Sequence, residues 1–338
     1  MSIIHGGDVW QGRVPGEYLD FSANLNPEGP PEWVREAMAA GLANAAWYPD
    51  VRARTALAGL SAHLKLPGAC LLPTAGGIEA AALAANLAKA HAVAQPTFQE
   101  YARLCGPHRD VPRGQLAAFR PRRGEALWLC NPNNPTGDAL PRAEVLALLE
   151  RVEAAGGRLV VDEAFIDYCP QNSVIDCVQA HPALAVLGSL TKALAIPGIR
   201  LGYLAAHPAA ISALSEGLPP WRLNCVADAV AAALPGREGD FARIRALNEG
   251  RRGPFAAALS ALGAKVFPSA ANFLLCDFGR DMRPVLEALG QRGILARPCG
   301  MFPGLTHGHV RLCVRTDEEN ARLIDALRET LRGDPARK

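Results

Sequence analysis

The stretch "GSLTKALAIPGIRLGY" (residues 188–203) places one lysine, Lys192, just after an apolar run. That run, "LAVLGSL" (184–190), is typical of a buried strand, and a proline and a glycine break regular structure soon afterwards. Arg200 follows Lys192 by eight residues. An amine in this position is either a solvated surface group or a covalent anchor, and the flanking segments decide between the two.

Two earlier apolar runs also lead to a polar side chain. "ALWLC" (126–130) runs into "NPNNPTG", which contains Asn134, and "RLVVD" (158–162) ends at Asp162. Asn134, Asp162 and Lys192 are 28 and 30 residues apart, about the length of one strand and one helix. Because the carboxyl ends of parallel strands meet at one edge of a sheet, we expect these three side chains to lie together.

This alternation of strands and helices predicts an α/β protein with helices on both faces of a mostly parallel sheet, a three-layer α/β/α arrangement. From about residue 235 the pattern changes to charged helices and short strands, which is typical of a smaller α+β domain. We therefore expect a large domain over residues 41–230 and a small domain built from residues 1–40 and 231–338. A chain of 338 residues is long enough for both.

The composition argues against several classes of protein. The formal net charge is +2, so no strong field attracts nucleic acid or an anionic membrane, and we expect neither as a partner. The alanine-rich segment 79–94 contains charged residues and is too polar to span a bilayer. The nine cysteines show no C-x-x-C pair and no metal-ligand spacing, so we expect reduced thiols and no metal site. The first residues lack the pattern of a signal peptide, and we expect a cytoplasmic protein.

A glycine pair adds a fourth group near the same edge of the predicted sheet. Gly76 and Gly77 precede a strong helix pattern, "IEAAALAANLAKAHA" (78–92), and free amides at the start of a helix can hold a phosphate. An amine, a carboxylate and a phosphate cradle together match pyridoxal phosphate, whose aldehyde reacts with a lysine and whose ring nitrogen pairs with an aspartate. The sequence therefore predicts a site for pyridoxal 5'-phosphate.

Three motifs resemble a known family. "NPNNPTG", "VDEAF" (161–165) and "SLTKALAIPGIRLGY" look like the class I/II aminotransferases, which are fold-type-I pyridoxal-phosphate enzymes. The resemblance implies that Lys192 is catalytic and forms a Schiff base with the cofactor. It also implies that Asp162 pairs with the ring nitrogen and keeps it protonated, and that Asn134 contacts the ring hydroxyl oxygen. Members of this family usually form homodimers, so we expect a homodimer.

The remaining cofactor contacts implied by the resemblance involve the phosphate and the face of the ring. The implied phosphate contacts are Ser189, Arg200 and the amides of Gly76 and Gly77. Phe98, in "QPTFQEY" (95–101), would stack on the ring, with Tyr101 as an alternative. Many relatives have a tyrosine at the position of Phe165, which cannot donate a hydrogen bond, so we expect the Schiff-base nitrogen to be tuned differently here.

Further motifs resemble one branch of the family. "HGGD" (5–8), "LDFSANLNPEGPP" (19–31), "WYPD" (47–50) and "HVRLCVRT" (309–316) look like the branch that decarboxylates L-threonine O-3-phosphate in cobalamin biosynthesis. The implied product is (R)-1-amino-2-propanol O-phosphate. The alternative is a histidinol-phosphate-type aminotransferase, a branch that shares most of the same motifs.

Both branches act on a small phosphorylated amino acid or amine, so we expect such a substrate. The resemblance implies that Arg311 binds a carboxylate, because a guanidinium and a carboxylate form a bidentate pair. Arg297 is assigned to the substrate phosphate, with His5 and Asn24 as helpers from the N-terminal segment. Arg315 is a weaker alternative to Arg297.

Overall fold

The computed structural model of the protein describes residues 6, 7, 9 and 16–333. In chain order the strands are β1 (Leu19–Asp20), β2 (Leu71–Thr74), β3 (Ala90–Gln95), β4 (Arg109–Pro112), β5 (Glu125–Cys130), β6 (Arg158–Asp162), β7 (Leu184–Ser189), β8 (Gly202–Ala206), β9 (Lys265–Val266), β10 (Phe273–Asp277), β11 (Ile294–Leu295), β12 (Arg297–Pro298) and β13 (His309–Cys313). The helices are α1 (Glu32–Leu42), α2 (Arg54–Leu64), α3 (Gly77–Ala85), α4 (Glu100–Cys105), α5 (Arg142–Ala154), α6 (Pro208–Glu216), α7 (Cys225–Ala232), α8 (Glu238–Ala261), α9 (Arg283–Gln291) and α10 (Asp317–Gly333).

A seven-stranded sheet in the order β2-β8-β7-β6-β5-β3-β4 forms the centre of the larger unit. The neighbouring strands from β7 to β4 run parallel, whereas β8 pairs antiparallel with both β7 and β2. The predicted α/β fold with a mostly parallel sheet is therefore confirmed. Strand β8 is antiparallel because its connection to β7, residues 190–201, contains no helix. A parallel neighbour would need such a helix to cross over the sheet.

Both faces of this sheet are covered by helices, which explains why its strands read as continuous apolar runs. On β5, Leu127 and Leu129 belong to a core shared with α1, α2, α5 and α7. Trp128 between them belongs to a core on the other face, shared with α3, α4 and α6. Each of these large side chains contributes about 1.5–3 kcal/mol when fully buried. The three-layer arrangement thus comes from alternate residues of one strand facing two different helix layers.

The register of the central strands places the candidate residues at one edge of the sheet. Cys130 of β5 lies opposite Asp162 of β6, and Asp162 lies opposite Leu187 of β7. The strands therefore end level with one another. The loops that follow β5 and β7, which carry Asn134 and Lys192, leave the sheet at the same edge as Asp162.

A smaller antiparallel sheet, in the order β12-β13-β10-β9, packs against α8, α9 and α10 around a separate core. Strand β1 pairs with β11 and Phe21 joins this core, whereas Trp33 and Val34 of α1 lie in the core of the seven-stranded sheet. The domain boundaries near residues 40 and 231 stay a prediction. Within residues 16–333, no helix has both the length and the apolar character needed to cross a membrane.

Candidate active site

A cleft of about 800 Å³ opens at the carboxyl edge of the seven-stranded sheet, between that edge and the smaller sheet. Its walls come from the loops after β5, β6 and β7, the start of α3, the helix α4, the N-terminal segment and the strands β12 and β13. The residues assigned from sequence that line it are Asn24, Gly77, Phe98, Asn134, Asp162, Ser189, Lys192, Arg200, Arg297 and Arg311. His5 lies outside the described residues.

Lys192 lies at the base of the cleft, three residues after the end of β7. Burial, followed by the positive charges of Arg311 and Arg200, lowers the pKa of its amine to about 8. The amine faces the ring of Phe165, with 6.0 Å between Nζ and the ring centroid. A larger fraction of this amine is therefore neutral near pH 8 than of an ordinary lysine, and the neutral form is the nucleophile that attacks an aldehyde.

Asp162 is a buried carboxyl, 7% exposed, at the end of β6. Its Oδ1 accepts a hydrogen bond from the Ala164 amide at 2.8 Å, and its Oδ2 accepts one from the hydroxyl of Tyr101. Burial raises the pKa of Asp162 to about 6, although both hydrogen bonds and the charge of Lys192 act in the opposite direction. An ionised carboxylate is costly to bury unless it is paired, so a cationic group beside Asp162 would stabilise its charged form.

The start of α3 forms a cradle for an anion. Gly76 has φ +84°, and a Cβ there would lie 2.5 Å from Nη2 of Arg200, so only glycine lets the guanidinium approach the helix start. Arg200 donates from Nη1 to the Pro197 carbonyl at 3.0 Å and from Nη2 to the Ala75 carbonyl at 3.4 Å. A Cβ on Gly77 would be 3.4 Å from Cβ of Ser189. The Gly76 amide, assigned from the sequence to the phosphate, donates instead to the Thr74 carbonyl at 2.8 Å. A guanidinium, a hydroxyl and the helix amides from Gly77 onward together suit a phosphate.

Arg311 and Arg297 lie directly opposite each other on β13 and β12. Arg311 is 6% exposed and Arg297 is 4% exposed, and burial lowers the pKa of both guanidinium groups. Nη1 of Arg297 and Nε of Arg311 are buried without a hydrogen-bond partner in the described part of the chain. Two buried cations with unused N–H groups form a site for anionic groups of a ligand.

The two arginines differ in how they are held. Arg311 donates from Nη1 to Oδ1 of Asn134 and from Nη2 to the Ser22 carbonyl at 2.6 Å. It thus ties the loop after β5 to the N-terminal segment. Arg297 lies with its guanidinium carbon 5.8 Å from the ring centroid of Phe302 and contacts little that is polar. Arg297 therefore has more of its hydrogen-bonding capacity left for a ligand.

The structure places two further residues that were assigned to the substrate, Asn24 and Arg315, in different environments. Asn24 is 3% exposed, lines the cleft and has a buried Oδ1 without a hydrogen-bond partner among the described residues. Arg315 does not line the cleft; it donates to the Asp20 carbonyl at 3.0 Å and to Glu319 at 2.8 Å. The weaker alternative to Arg297 is therefore wrong.

Phe98 and Tyr101 both line the cleft but make different contacts. Their rings meet edge to face, with centroids 5.5 Å apart. Tyr101 also bonds to Asp162, a contact that sequence reasoning missed. The spacing of the two aromatic residues by three positions places them on one face of a helical turn, but it does not indicate the bond to Asp162.

A family model for aminotransferases of class I and II matches residues 16–327. The chain belongs to this family. Among curated relatives, threonine-phosphate decarboxylase of Salmonella typhimurium is 33% identical over 97% of each chain. Histidinol-phosphate aminotransferase of Symbiobacterium thermophilum is also 33% identical, over 93% of this chain and 91% of the relative.

A solved structure shows the same fold. The crystal structure of histidinol-phosphate aminotransferase from Sinorhizobium meliloti in complex with pyridoxal-5'-phosphate matches with a TM-score of 0.81 at 22% identity, over 92% of this chain and 89% of that chain. Enzymes of the class I and II aminotransferase family depend on pyridoxal phosphate, and this chain is a pyridoxal-phosphate-dependent enzyme. The fold-type-I resemblance is thereby confirmed.

The residues around the cleft fit this cofactor. The amine of Lys192 has a lowered pKa, the buried carboxylate of Asp162 can pair with a cation, and the start of α3 with Arg200 suits a phosphate. These groups occupy one wall of the cleft, whereas Arg297 and Arg311 come from the smaller sheet across from it. The cleft thus has room for a cofactor on one side and a charged substrate on the other.

Proposed function

We propose that this enzyme decarboxylates L-threonine O-3-phosphate to (R)-1-amino-2-propanol O-phosphate in cobalamin biosynthesis. The observation that carries this proposal is the pair of buried arginines, Arg297 and Arg311, with unused N–H groups in the cleft. Placing two guanidinium groups opposite each other in a buried site is unfavourable unless the ligand brings negative charge. Threonine phosphate carries two anionic groups, a carboxylate on its α-carbon and a phosphate on its side chain.

Each arginine receives one of these anions in the proposal. Arg311 lies closer to the sheet edge that holds Lys192, because it contacts Asn134 and lowers the pKa of Lys192. It therefore takes the α-carboxylate. Arg297, which has fewer polar contacts, takes the phosphate, and the orphaned Oδ1 of Asn24 lies in the same cleft. His5 stays a proposed helper.

The cofactor residues have the roles that the resemblance implies. Lys192 would hold the cofactor covalently, Asp162 would pair with its ring nitrogen and Asn134 with its ring hydroxyl. Phe98 would pack on the ring. Ser189, Arg200 and the amide of Gly77 would hold the phosphate, and the Gly76 amide would join them only by leaving the Thr74 carbonyl. When bound, pyridoxal phosphate draws electrons from the α-carbon of an amino acid joined to it, which weakens the bond at that carbon that is aligned with its π system.

The residues of the chain decide which bond that is. Arg311 fixes the carboxylate and Arg297 fixes the far end of the substrate, so two anchors set the rotation about the α-carbon. Orientation of this kind supplies about 7–11 kcal/mol of the barrier at the ideal limit. Carbon dioxide would leave without the electron pair of the broken bond, which the cofactor would accept, and the amine of Lys192 would return a proton to the α-carbon.

A histidinol-phosphate-type aminotransferase is the second candidate. It is favoured by the equal identity of a histidinol-phosphate aminotransferase and a threonine-phosphate decarboxylase to this chain. Histidinol phosphate carries an amine and a phosphate but no carboxylate. Histidinol phosphate itself would leave one of the two buried arginines without an anion, although the two carboxylates of 2-oxoglutarate would fill both sites in the other half of the reaction. We place this function second because the single substrate of the decarboxylase fills both sites.

The two functions are separated by a single pair of assays. The purified enzyme with pyridoxal phosphate is incubated with threonine phosphate in the absence of any keto acid, and carbon dioxide is measured. We expect carbon dioxide from the wild type and none from Lys192→Ala, in which borohydride no longer fixes the cofactor to the protein. Glutamate from histidinol phosphate plus 2-oxoglutarate, without carbon dioxide from threonine phosphate, would show the second function instead.

The proposal includes a homodimer. Five large apolar side chains are exposed on the larger unit, and a patch of this kind on a globular protein marks a contact surface. They are Leu42, Trp47, Tyr48, Val51 and Trp221. We keep the division into a large domain over residues 41–230 and a small domain from residues 1–40 and 231–338 as part of the proposal.

A further inference from the structure

Tyr101 links two groups at the cofactor side of the cleft. Its hydroxyl donates a hydrogen bond to Oδ2 of Asp162, and its ring meets the ring of Phe98 edge to face at 5.5 Å. The other face of the phenol stacks on Trp128, with centroids 5.3 Å apart and planes 29° apart. Tyr101 is 1% exposed, so the ring is enclosed and the hydroxyl points in one direction.

The environment makes this hydroxyl a donor. Burial, followed by the negative charge of Asp162, raises the pKa of Tyr101 well above its ordinary value, so the phenol keeps its proton. The Ala164 amide donates to the other oxygen of Asp162 at 2.8 Å. One donor thus holds each carboxylate oxygen. Since both donors favour the ionised form of a carboxyl that burial would otherwise make neutral, they control both its charge and its orientation.

We propose that Tyr101 is a positioning residue that keeps the Asp162 carboxylate ionised and oriented for the ring nitrogen of the cofactor. This inference rests on the proposed function, which assigns Asp162 to that nitrogen. The reactivity of pyridoxal phosphate depends on a protonated ring nitrogen, because the positive charge withdraws electrons from the reacting carbon. Tyr101 touches neither the substrate nor the reacting atoms, and it acts through Asp162.

The competing state is a neutral pair, in which the proton has moved from the ring nitrogen to an oxygen of Asp162. The Tyr101 hydroxyl stabilises the ionic pair over the neutral pair, because a hydrogen bond to a carboxylate is stronger than one to a carboxylic acid. Removing the hydroxyl therefore moves the shared proton toward Asp162 and weakens the withdrawal of electrons.

The test is Tyr101→Phe, which keeps the ring stacked on Trp128 and removes only the hydroxyl. Wild type and variant are loaded with pyridoxal phosphate labelled with ¹⁵N in the ring, and the ¹⁵N chemical shift is followed between pH 6 and 9. We expect a protonated nitrogen throughout in the wild type and a shift toward the unprotonated signal in the variant. We also expect the dissociation constant of the cofactor to rise about ten-fold or more.

Two controls separate this inference from the function on which it rests. Tyr168→Phe removes another buried phenol, which packs in a separate cluster with Ile244 and Phe273 and is not bonded to Asp162, and it should leave the ¹⁵N signal unchanged. Asp162→Asn at saturating cofactor should move the signal strongly. If it does not, the assigned role of Asp162 is wrong and the inference fails with it. If it does, while Tyr101→Phe keeps the wild-type signal and affinity, the inference alone is overturned.

Discussion

At the scale of single residues, the chemistry of the site depends on how charged groups alter one another. Lys192 has an amine pKa of about 8 instead of 10.5, first because of burial and then because of Arg311 and Arg200. Arg311 and Arg200, which we assign to anionic groups of the ligands, thereby also lower the pKa of this amine. Since like charges disfavour the protonated form, removing one of these charges should raise the pKa of Lys192.

Arg311→Gln tests this coupling. In the protein without cofactor, the pKa of Lys192 should rise from about 8 toward the ordinary value, because a positive charge is lost while a hydrogen-bonding side chain remains. The measurement is an NMR titration after reductive ¹³C-methylation of lysines. Arg315→Gln is the matched control, because Arg315 carries the same charge but does not line the cleft, and it bonds to the Asp20 carbonyl and to Glu319. Equal titration curves for both variants would contradict the coupling.

We assign the substrate phosphate to Arg297 and the α-carboxylate to Arg311, and this assignment gives a second prediction at the residue scale. Arg297→Ala should lower kcat/KM for threonine phosphate about ten- to hundred-fold, the loss expected for hydrogen bonds to a charged group. Its effect on the turnover of unphosphorylated threonine, which we expect to be slow, should be small. Arg311→Ala should lower both, because both substrates carry the α-carboxylate. Steady-state kinetics with the two substrates give the comparison, and equal losses with Arg297→Ala would remove this residue from the phosphate site.

At the scale of elements, the start of α3 shows how a local backbone conformation makes a binding site. Gly76 has φ +84° and ψ 172°, a backbone conformation that residues other than glycine rarely adopt. A Cβ there would also lie 2.5 Å from Arg200 Nη2. Backbone strain and the displaced guanidinium would both disturb the cradle that we assign to the cofactor phosphate.

Gly76→Ala should therefore weaken cofactor binding about five- to hundred-fold, since the cradle can avoid the clash and the strain of about 1–3 kcal/mol only by moving, and 1.4 kcal/mol corresponds to a factor of ten. Absorbance titration with pyridoxal phosphate measures the dissociation constant. Gly68→Ala is the matched control, because a Cβ there would meet the Leu57 side chain at 3.5 Å, an ordinary contact. Wild-type affinity in Gly76→Ala would show that the cradle does not hold the phosphate.

The elements also show what the sequence can and cannot predict. Buried strands of a parallel sheet read as apolar runs, so the polar residues after them, Asp162 and Lys192 among them, could be located at strand ends. The bond from Tyr101 to Asp162 depends on how α4 packs over the sheet. The pairing of Arg297 with Arg311 depends on the register of two short strands. Contacts of this kind are set by tertiary packing, which the pattern of apolar and polar residues along the sequence does not reveal.

At the scale of the whole molecule, several large apolar side chains of the larger unit are exposed, and two of their rings are in contact. Trp47 is 69% exposed, Tyr48 81% and Trp221 46%, and the rings of Tyr48 and Trp221 lie 4.8 Å apart. Leu42 and Val51 are also exposed, at 65% and 59%. Leaving this much apolar surface in water is unfavourable at about 25 cal/mol per Å². Because homodimers commonly bury the same patch from both copies, a second copy of this chain is the occupant that we propose.

The prediction is a dimer that depends on this surface. Sedimentation equilibrium of the wild type should give twice the mass of the 35.8 kDa chain, and Trp47→Glu combined with Val51→Glu should shift the protein to monomers by placing charge in the contact. Arg328→Glu, on the exposed side of α10 in the smaller unit, also reverses a surface charge and should leave the mass of a dimer. A wild type that sediments as a monomer, or a double variant that stays dimeric, would show that this apolar surface has another role.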